Sequence, residues 1–516
     1  MNNSFVSIAT PAIEWHPLEN EINIGKDILE LLSSSMYVDP MTIYREYIQN
    51  AADSIDELRI SAADPDLLGR VSIQIDGPSR SVMITDNGAG IPERDFISRL
   101  TSFGGSSKRG KRSRGFRGVG RLAGLGYCQE LIFRTRSAGE GFVNELRWDC
   151  RALKTILRDP ASKDDLVKTV RQVVTARRLK KDEIAGSFFQ VELKGVIRHR
   201  NDQILSEAAI ANYLSQVAPV PFSVEFSQQS EILAHIQDAV HLGNLDISIN
   251  GCSPLRRPFQ TVFQISEHEQ DRFGEVETIT IPAVDGELAA VGWVAHHGYR
   301  GALSTALGIR GLRFRVGNIQ VGDDRLVEEL FPEQRFNVWS VGEIHVLDPR
   351  IFPNGRRDHF DHNVHFDNLL NHLAPIARKI ARQCRISSTR RKHEREFEIR
   401  LAKAKESFAI IKQGAVSKAE IRKMDQKLEN DLARLAEILD AKMLPESTSE
   451  KLRGQLHHFS REVSRKLNLA KKPSPLDCFS GPKRRAFQQI IELIYQCSTN
   501  QSAARSLVDK VLSKIE

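Results

Sequence analysis

Glu46, Asn50 and Asp53 stand at i, i+4 and i+7 within the run Arg45-Glu46-Tyr47-Ile48-Gln49-Asn50-Ala51-Ala52-Asp53. On an α-helix this spacing stacks the three polar side chains on one face, turn above turn. Ile43, Tyr47, Ala51 and Ile55 supply an apolar stripe beside them. A carboxylate, an amide and a second carboxylate aimed in one direction suit an Mg-nucleotide site. The amide oxygen is a hard metal ligand, and a glutamate can orient an attacking water.

Two glycine-bearing motifs follow. In Asp86-Asn87-Gly88-Ala89-Gly90 the glycines permit a tight backbone turn against a ligand, and Asp86 can accept a hydrogen bond from an exocyclic amine such as that of adenine. The same tripeptide is also ordinary Asn-Gly turn chemistry. From Gly115 to Gly126 (GFRGVGRLAGLG) a glycine-rich loop runs into a helix, where backbone N–H groups can cradle phosphate. It has neither the Walker pattern nor a preceding strand of the dinucleotide fingerprint. The run Ser106 to Arg114 carries hydroxyls and cations without an acid; it can close over phosphates or simply be a solvated basic loop.

Elements that must position these groups are readable in outline. An amphipathic helix is expected over 25–37, and Asp39-Pro40 opens a longer one to about Arg59. Val71–Asp76 and Ser81–Asp86 alternate and predict a hairpin through Gly77-Pro78-Ser79. A short helix (92–100), a mobile loop (101–115), a helix (121–127) and strands at 131–136, 142–148 and 187–193 follow. Beyond residue 200, a helix is expected at 205–217 and strands at 222–226, 245–249, 277–281, 289–294, 312–321 and 342–347. From about Phe366 glycine and proline nearly vanish, and Leu428, Leu432, Leu435 and Leu439 keep helical spacing. Lys471–Pro475 reads as a linker before a last helical hairpin.

The chain has 516 residues, is 41% hydrophobic and 27% charged, and carries a net charge of +7. This is an ordinary globular composition, mildly basic, and compatible with a polyanionic partner. Six scattered cysteines without a C-x-x-C pair fit reduced thiols in a cytoplasmic protein. No signal-peptide pattern and no membrane-length apolar run is visible, so no membrane partner is expected.

Taken in order, the E-x-x-x-N-x-x-D helix, the D-x-G-x-G turn, the basic loop and the glycine-rich helix start resemble the GHKL (Bergerat-fold) ATPase family. Arg45 to Arg59 resembles the form found in HtpG-type heat-shock chaperones. Gly115-Phe116-Arg117-Gly118 resembles the MutL/MORC form of the glycine box. Gly186-Ser187 resembles the family's last nucleotide-site strand, with serine where threonine is usual.

The resemblance implies an α+β protein in four parts. These are an ATP-binding α/β sandwich over 1–198, a transducer-like α+β domain over 199–375, a long-helix region over 376–470 and a helical hairpin over 471–516. It implies that Glu46 orients water, Asn50 ligates Mg²⁺, and Asp86 reads the adenine amine with Gly88 and Gly90 admitting the base. Asp53 would support the adenine side. Gly115, Gly118, Val119 and Gly120 would hold phosphates, Ser106, Ser107 and Lys108 would serve from the lid, and Ser187 would bind ATP from the last nucleotide-site strand. Arg357, in Asn354-Gly355-Arg356-Arg357-Asp358, resembles the chaperone cation sent to the γ-phosphate.

The implied function is an Mg-dependent ATPase with lid closure and N-terminal homodimerisation, acting on an unknown client protein or nucleic acid. Alternatives are a DNA-handling clamp, a defence-system component, a histidine kinase and a non-hydrolysing nucleotide sensor.

Overall fold

The structure, a computed structural model, describes Lys26, Leu29 and residues 39–102, 120–159, 165–180, 186–199, 201–441, 443–467 and 474–514. Most of the helix expected over 25–37 and most of the loop expected over 101–115 lie outside the described residues.

Helix α1 (Thr42–Ser61) starts just after Pro40, and from Thr42 to Ile55 every residue except Asn50 and Ser54 is buried. Burial all round marks a helix enclosed by its neighbours rather than one lying on a surface. Fully burying Ile43, Ile48 and Ile55 contributes about 1.5–3 kcal/mol each, which helps offset the desolvation of Arg45, Glu46 and Asp53 on the same helix. Strands β1 (Gly69–Asp76) and β2 (Ser81–Asp86) form the expected hairpin, with Val71 opposite Asp86 and Asp76 opposite Ser81. Val71, Ile73, Val82 and Ile84 point inward at period two.

Next come α2 (Glu93–Thr101), a 3-10 helix (Gly120–Gly126), β3 (Glu130–Arg136), β4 (Val143–Asp149), α3 (Cys150–Arg158), α4 (Leu166–Val173), β5 (Val174–Leu179) and β6 (Phe188–Lys194). The helix expected at 121–127 is the 3-10 helix, with Gly120, Gly124 and Gly126 in seven residues. Glycine costs about 1 kcal/mol per helical position relative to alanine, and short tight turns are the usual outcome. Helix α3 is capped by the Asp149 carboxylate, which accepts from the Ala152 N–H, and the Lys26 ammonium donates to the carbonyls of Ile156 and Asp159 at its other end.

After α5 (Glu207–Val217) and α6 (Gln229–Ile236) comes β7 (Leu245–Ile249). β7 pairs parallel with β1 and completes a seven-stranded sheet of order β5-β4-β3-β6-β2-β1-β7. α1 and the 3-10 helix pack over this sheet, joining Tyr44, Tyr47, Leu122 and Leu125 to Phe133, Leu146 and Trp148 in one core.

The segment Phe222–Phe226 is not a strand. Pro219 and Pro221 lack the N–H a ladder needs, and Phe222 and Phe226 pack instead against Phe259 and Trp293. A small hairpin, β8 (Val262–Ser266) with β9 (Glu269–Arg272), precedes β10 (Val276–Pro282), β11 (Leu288–Ala295), β12 (Gly311–Val316), β13 (Ile319–Val321) and β14 (Val341–Val346). The last five form a sheet of order β10-β11-β14-β12-β13, with β12 and β14 parallel.

Inside this region the fully buried Glu343 carboxylate accepts from Arg315 Nε at 2.6 Å and from Arg257 Nη1. Burial works to raise the Glu343 pKa, but the two guanidiniums outweigh it and hold the carboxyl well below its usual range. Burial, assisted by Arg315, lowers Arg257 to about 9.

Helix α7 (Val364–Gln413) carries Pro375, and a second compact unit comprises 377–516 with Gly298–Ala302. Its helices α8 (Lys418–Asp440), α9 (Glu446–Leu467), α10 (Gly481–Cys497) and α11 (Gln501–Leu512) follow the helical pattern of the sequence. Leu428, Leu435 and Leu439 are buried with Phe397, Leu401 and Phe408, and Leu432 packs against them. The chain is thus mixed α+β, with its sheets ending at Val346 and helices from Val364 onward.

Candidate active site

Glu46 sits in the second turn of α1 and is 7% exposed. Its carboxylate faces the start of the 3-10 helix so closely that a Cβ at Gly120 would collide with Glu46 Oε2. The next residue of α1 fixes that helix in place, because the Gly124 N–H donates to the Tyr47 hydroxyl at 3.0 Å. Arg121 Nη2 donates to the Ser102 carbonyl at 2.7 Å, so the described residues on either side of 103–119 are tied together.

The other side of Glu46 is cationic. Arg357 Nε lies 3.7 Å from Glu46 Oε1, and Arg45 Nη2 lies 3.8 Å from the same atom. These are ion-pair distances without a hydrogen bond. Arg357 is 8% exposed and occupies the left-handed region at φ +56°, which is costly for a side chain larger than glycine. Surrounding bonds hold it there. Its N–H donates to the Asn354 carbonyl at 3.1 Å, and its own carbonyl accepts from the Gly322 N–H at 2.9 Å. Arg45 Nη2 donates to the Arg356 carbonyl at 2.9 Å, and Arg45 Nη1 reaches the Arg357 carbonyl at 3.4 Å. Arg45 therefore clamps the turn that aims Arg357 at the neighbouring Glu46.

The Asp86 turn lies toward the other end of α1. Asp86 Oδ1 accepts from the Gly88 N–H at 2.9 Å, and the Ala89 N–H donates to the Ser54 carbonyl of α1 at 3.1 Å. Asn87 faces away from the site: its Oδ1 accepts from the Arg70 N–H and its Nδ2 donates to the Leu68 carbonyl. A Cβ at Gly88 would strike the Ser54 hydroxyl, and Gly90, at φ +70°, lies against the Arg136 carbonyl. Ser187 Oγ donates to the Gly88 carbonyl at 2.8 Å, joining this turn to the start of β6. Burial raises the Asp86 carboxyl to about 7, against the lowering effect of the backbone N–H groups of Gly88 and Phe189.

Asn50 and Asp53 lie on α1 between these two ends. Asn50 is half-buried and Asp53 is buried. Asn50 offers a half-buried amide oxygen, a hard donor of the kind Mg²⁺ takes beside substrate phosphates. Among the described residues no group of three or more His, Cys, Asp or Glu side chains forms a metal cage. Ser106, Ser107, Lys108, Gly115, Gly118 and Val119 lie outside the described residues.

The structure thus brings Glu46, Gly120 and Arg357 into one cluster, and Asp86, Gly88, Gly90 and Ser187 into another, both built on α1. Three residues to which the sequence reading gave no site role also build the site: Arg45, Tyr47 and Ser54. Arg45 had one legible signal, its position immediately before the glutamate in the first motif.

Residues 42–172 match the family model described as histidine kinase-, DNA gyrase B- and HSP90-like ATPase. The chain is 29% identical over 156 residues to the chaperone protein HtpG of Psychrobacter arcticus, covering 27% of this chain and 23% of that protein. It is 28% identical over 200 residues to HtpG of Nitrosomonas eutropha, covering 35% and 30%. It is 31% identical over 142 residues to HtpG of Escherichia coli O1:K1, covering 24% and 23%. The chain therefore spans between 23% and 30% of the length of these curated relatives.

Proposed function

We propose, for a chain whose residues 42–172 are a GHKL-type ATPase domain resembling that of HtpG, an ATP-binding and ATP-hydrolysing conformational cycle. The observation that carries this reading is the placement of Glu46 between Gly120 and Arg357. A buried carboxylate beside the glycine turn that would hold the phosphates can orient a water for attack on the terminal phosphate. A guanidinium at the same point can stabilise charge on the transferring phosphoryl group.

In this reading Asp86 accepts from the adenine amine, while Gly88 and Gly90 leave room for the base and Ser187 braces the turn. Asn50 supplies an amide oxygen to Mg²⁺, which when bound neutralises phosphate charge. Gly115, Gly118, Val119 and Gly120 present backbone N–H groups to the phosphates, with Ser106, Ser107 and Lys108 closing from the lid. Asp53 supports the adenine side. The adenine-reading turn contacts α1 at Ser54 and the hydrolytic carboxylate leaves it at Glu46. Those points are about 12 Å apart along the helix axis at 1.5 Å per residue, so one rigid element sets the distance between base and terminal phosphate.

Arg357 comes from outside the matched segment, and its contact with Glu46 is exchangeable: a γ-phosphate would draw the guanidinium from one anion to the other. That exchange is how nucleotide state would be sensed by the region around β10–β14, with lid closure and homodimerisation as the larger consequences. A cytoplasmic chaperone-type role on a client follows from the same reading. Among the described residues no helix is long and apolar enough to cross a membrane.

The test is ATP turnover by the purified chain with and without Mg²⁺, with calorimetry of ATP binding to Asn50→Ala. The reading requires Mg-dependent hydrolysis and weakened Mg-nucleotide binding by the variant. Absence of ATP binding by the unaltered chain would refute it.

A further inference from the structure

The helices of the second unit enclose a cleft of about 1340 Å³, walled by α7, the first half of α8 and the turn between α10 and α11. We propose that this cleft docks the phosphate backbone of a nucleic-acid duplex.

The argument rests on which lining charges are already neutralised. Glu396 is paired with Arg400 and Arg434, Glu420 with Lys423, and Asp431 with Arg400. Glu492 accepts from the neutral Ser417 N–H and keeps its charge. Glu406 is the lining acid left without a partner among the described residues. Against these two acids stand four exposed cations, Lys392, Arg395, Lys403 and Lys427, none with an acidic partner among the described residues. The cleft therefore presents a surplus of uncompensated positive charge.

Lys392, Arg395 and Lys403 lie along one face of α7. Eleven residues at 1.5 Å rise put the outer two about 16 Å apart, a length over which a duplex, with one charge per about 1.7 Å of axis, presents several phosphates. The polar groups beside them are hydroxyls and amides, Ser388, Ser407, Asn500 and Gln501, the side-chain types that contact phosphate and sugar. The lining aromatic, Tyr495, is buried and its hydroxyl donates to Gln413 Oε1 at 2.5 Å. It offers no open face on which an unpaired base could stack, so the cleft suits a duplex backbone better than a single strand. This inference is independent of ATP hydrolysis.

The test is fluorescence anisotropy of the full chain with a labelled short DNA duplex, the matching single strand and poly-glutamate, across a salt series. Four phosphate contacts give a log–log salt slope of about −3.6, so affinity should fall roughly a hundredfold between about 50 and 200 mM salt. The quadruple variant K392A/R395A/K403A/K427A should lose most of the duplex affinity and most of that slope. All four residues are exposed, so an unchanged melting curve and unchanged ATP affinity should accompany the loss. Undetectable duplex binding at low salt, equal binding by the variant, or preference for the single strand or poly-glutamate would each overturn the proposal.

Discussion

Arg357 Nε stands 3.7 Å from Glu46 Oε1, although Glu46 belongs to α1 and Arg357 to a turn beyond β14, the last strand of the five-stranded sheet. The pair couples a proposed water-orienting carboxylate to a cation held in a left-handed backbone conformation at φ +56°. Arg45 completes the arrangement by donating to both carbonyls of that turn.

Replacing Arg357 tests the cation and the backbone separately. Arg357→Ala removes the guanidinium and keeps the left-handed strain, whereas Arg357→Gly removes both. Both variants should lose turnover by about ten- to a hundredfold, within the range seen when one charge-stabilising group is deleted from a transition state. Steady-state ATPase assays check this. Recovery of the wild-type rate by glycine alone would mean that only backbone relaxation mattered.

Gly120→Ala places a methyl group against Glu46 Oε2. The carboxylate end must swing away, so turnover should fall at least about tenfold while the melting temperature moves little, since the displaced atoms end a flexible side chain. A full-rate Gly120→Ala enzyme would show that Glu46 does not act from this position.

Asp86 sets a pH dependence of unusual sign. Burial raises its pKa from 3.8 to about 7 in the folded chain. The folded protein therefore holds an extra proton between these values, and the stability linked to this group is full below about pH 4 and lost as pH rises toward 7. A ligand amine that donates to Asp86 favours the ionised form. ATP affinity should accordingly rise about tenfold from pH 6 to pH 8, and Asp86→Asn should flatten the profile. Calorimetric titrations across that range check it; an identical slope in the variant would place the titrating group elsewhere.

Much of the nucleotide-binding domain was legible because its signals are local. Asp39-Pro40 marks the start of α1, alternation defines β1 and β2, and the Asp86 turn follows directly on β2. What escaped depends on partners distant in sequence. Leu245–Ile249 has a strand pattern, but nothing local says that it pairs with β1. Phe222–Phe226 is apolar and aromatic like a strand, yet the preceding Pro219 and Pro221 and its packing on Phe259 and Trp293 make it an irregular core segment. The aim of Arg357 is set by Gly322, Asn354 and Arg45 together, which no spacing rule connects.

The buried Glu343 carries a stability prediction. Glu343→Gln would leave Arg257 and Arg315 facing each other without a counter-ion in the interior. Breaking a buried pair in this way costs about 3–5 kcal/mol, so chemical denaturation should show a large loss or no folded protein. A change under about 1 kcal/mol would indicate that the guanidiniums find other acceptors.

The most direct measurement is a paired assay on Glu46→Gln, which keeps the volume of the side chain and removes its basicity. The account predicts ATP affinity within about threefold of wild type and turnover reduced at least about a hundredfold, as expected for loss of a general base. Turnover at the wild-type rate with binding intact would contradict it.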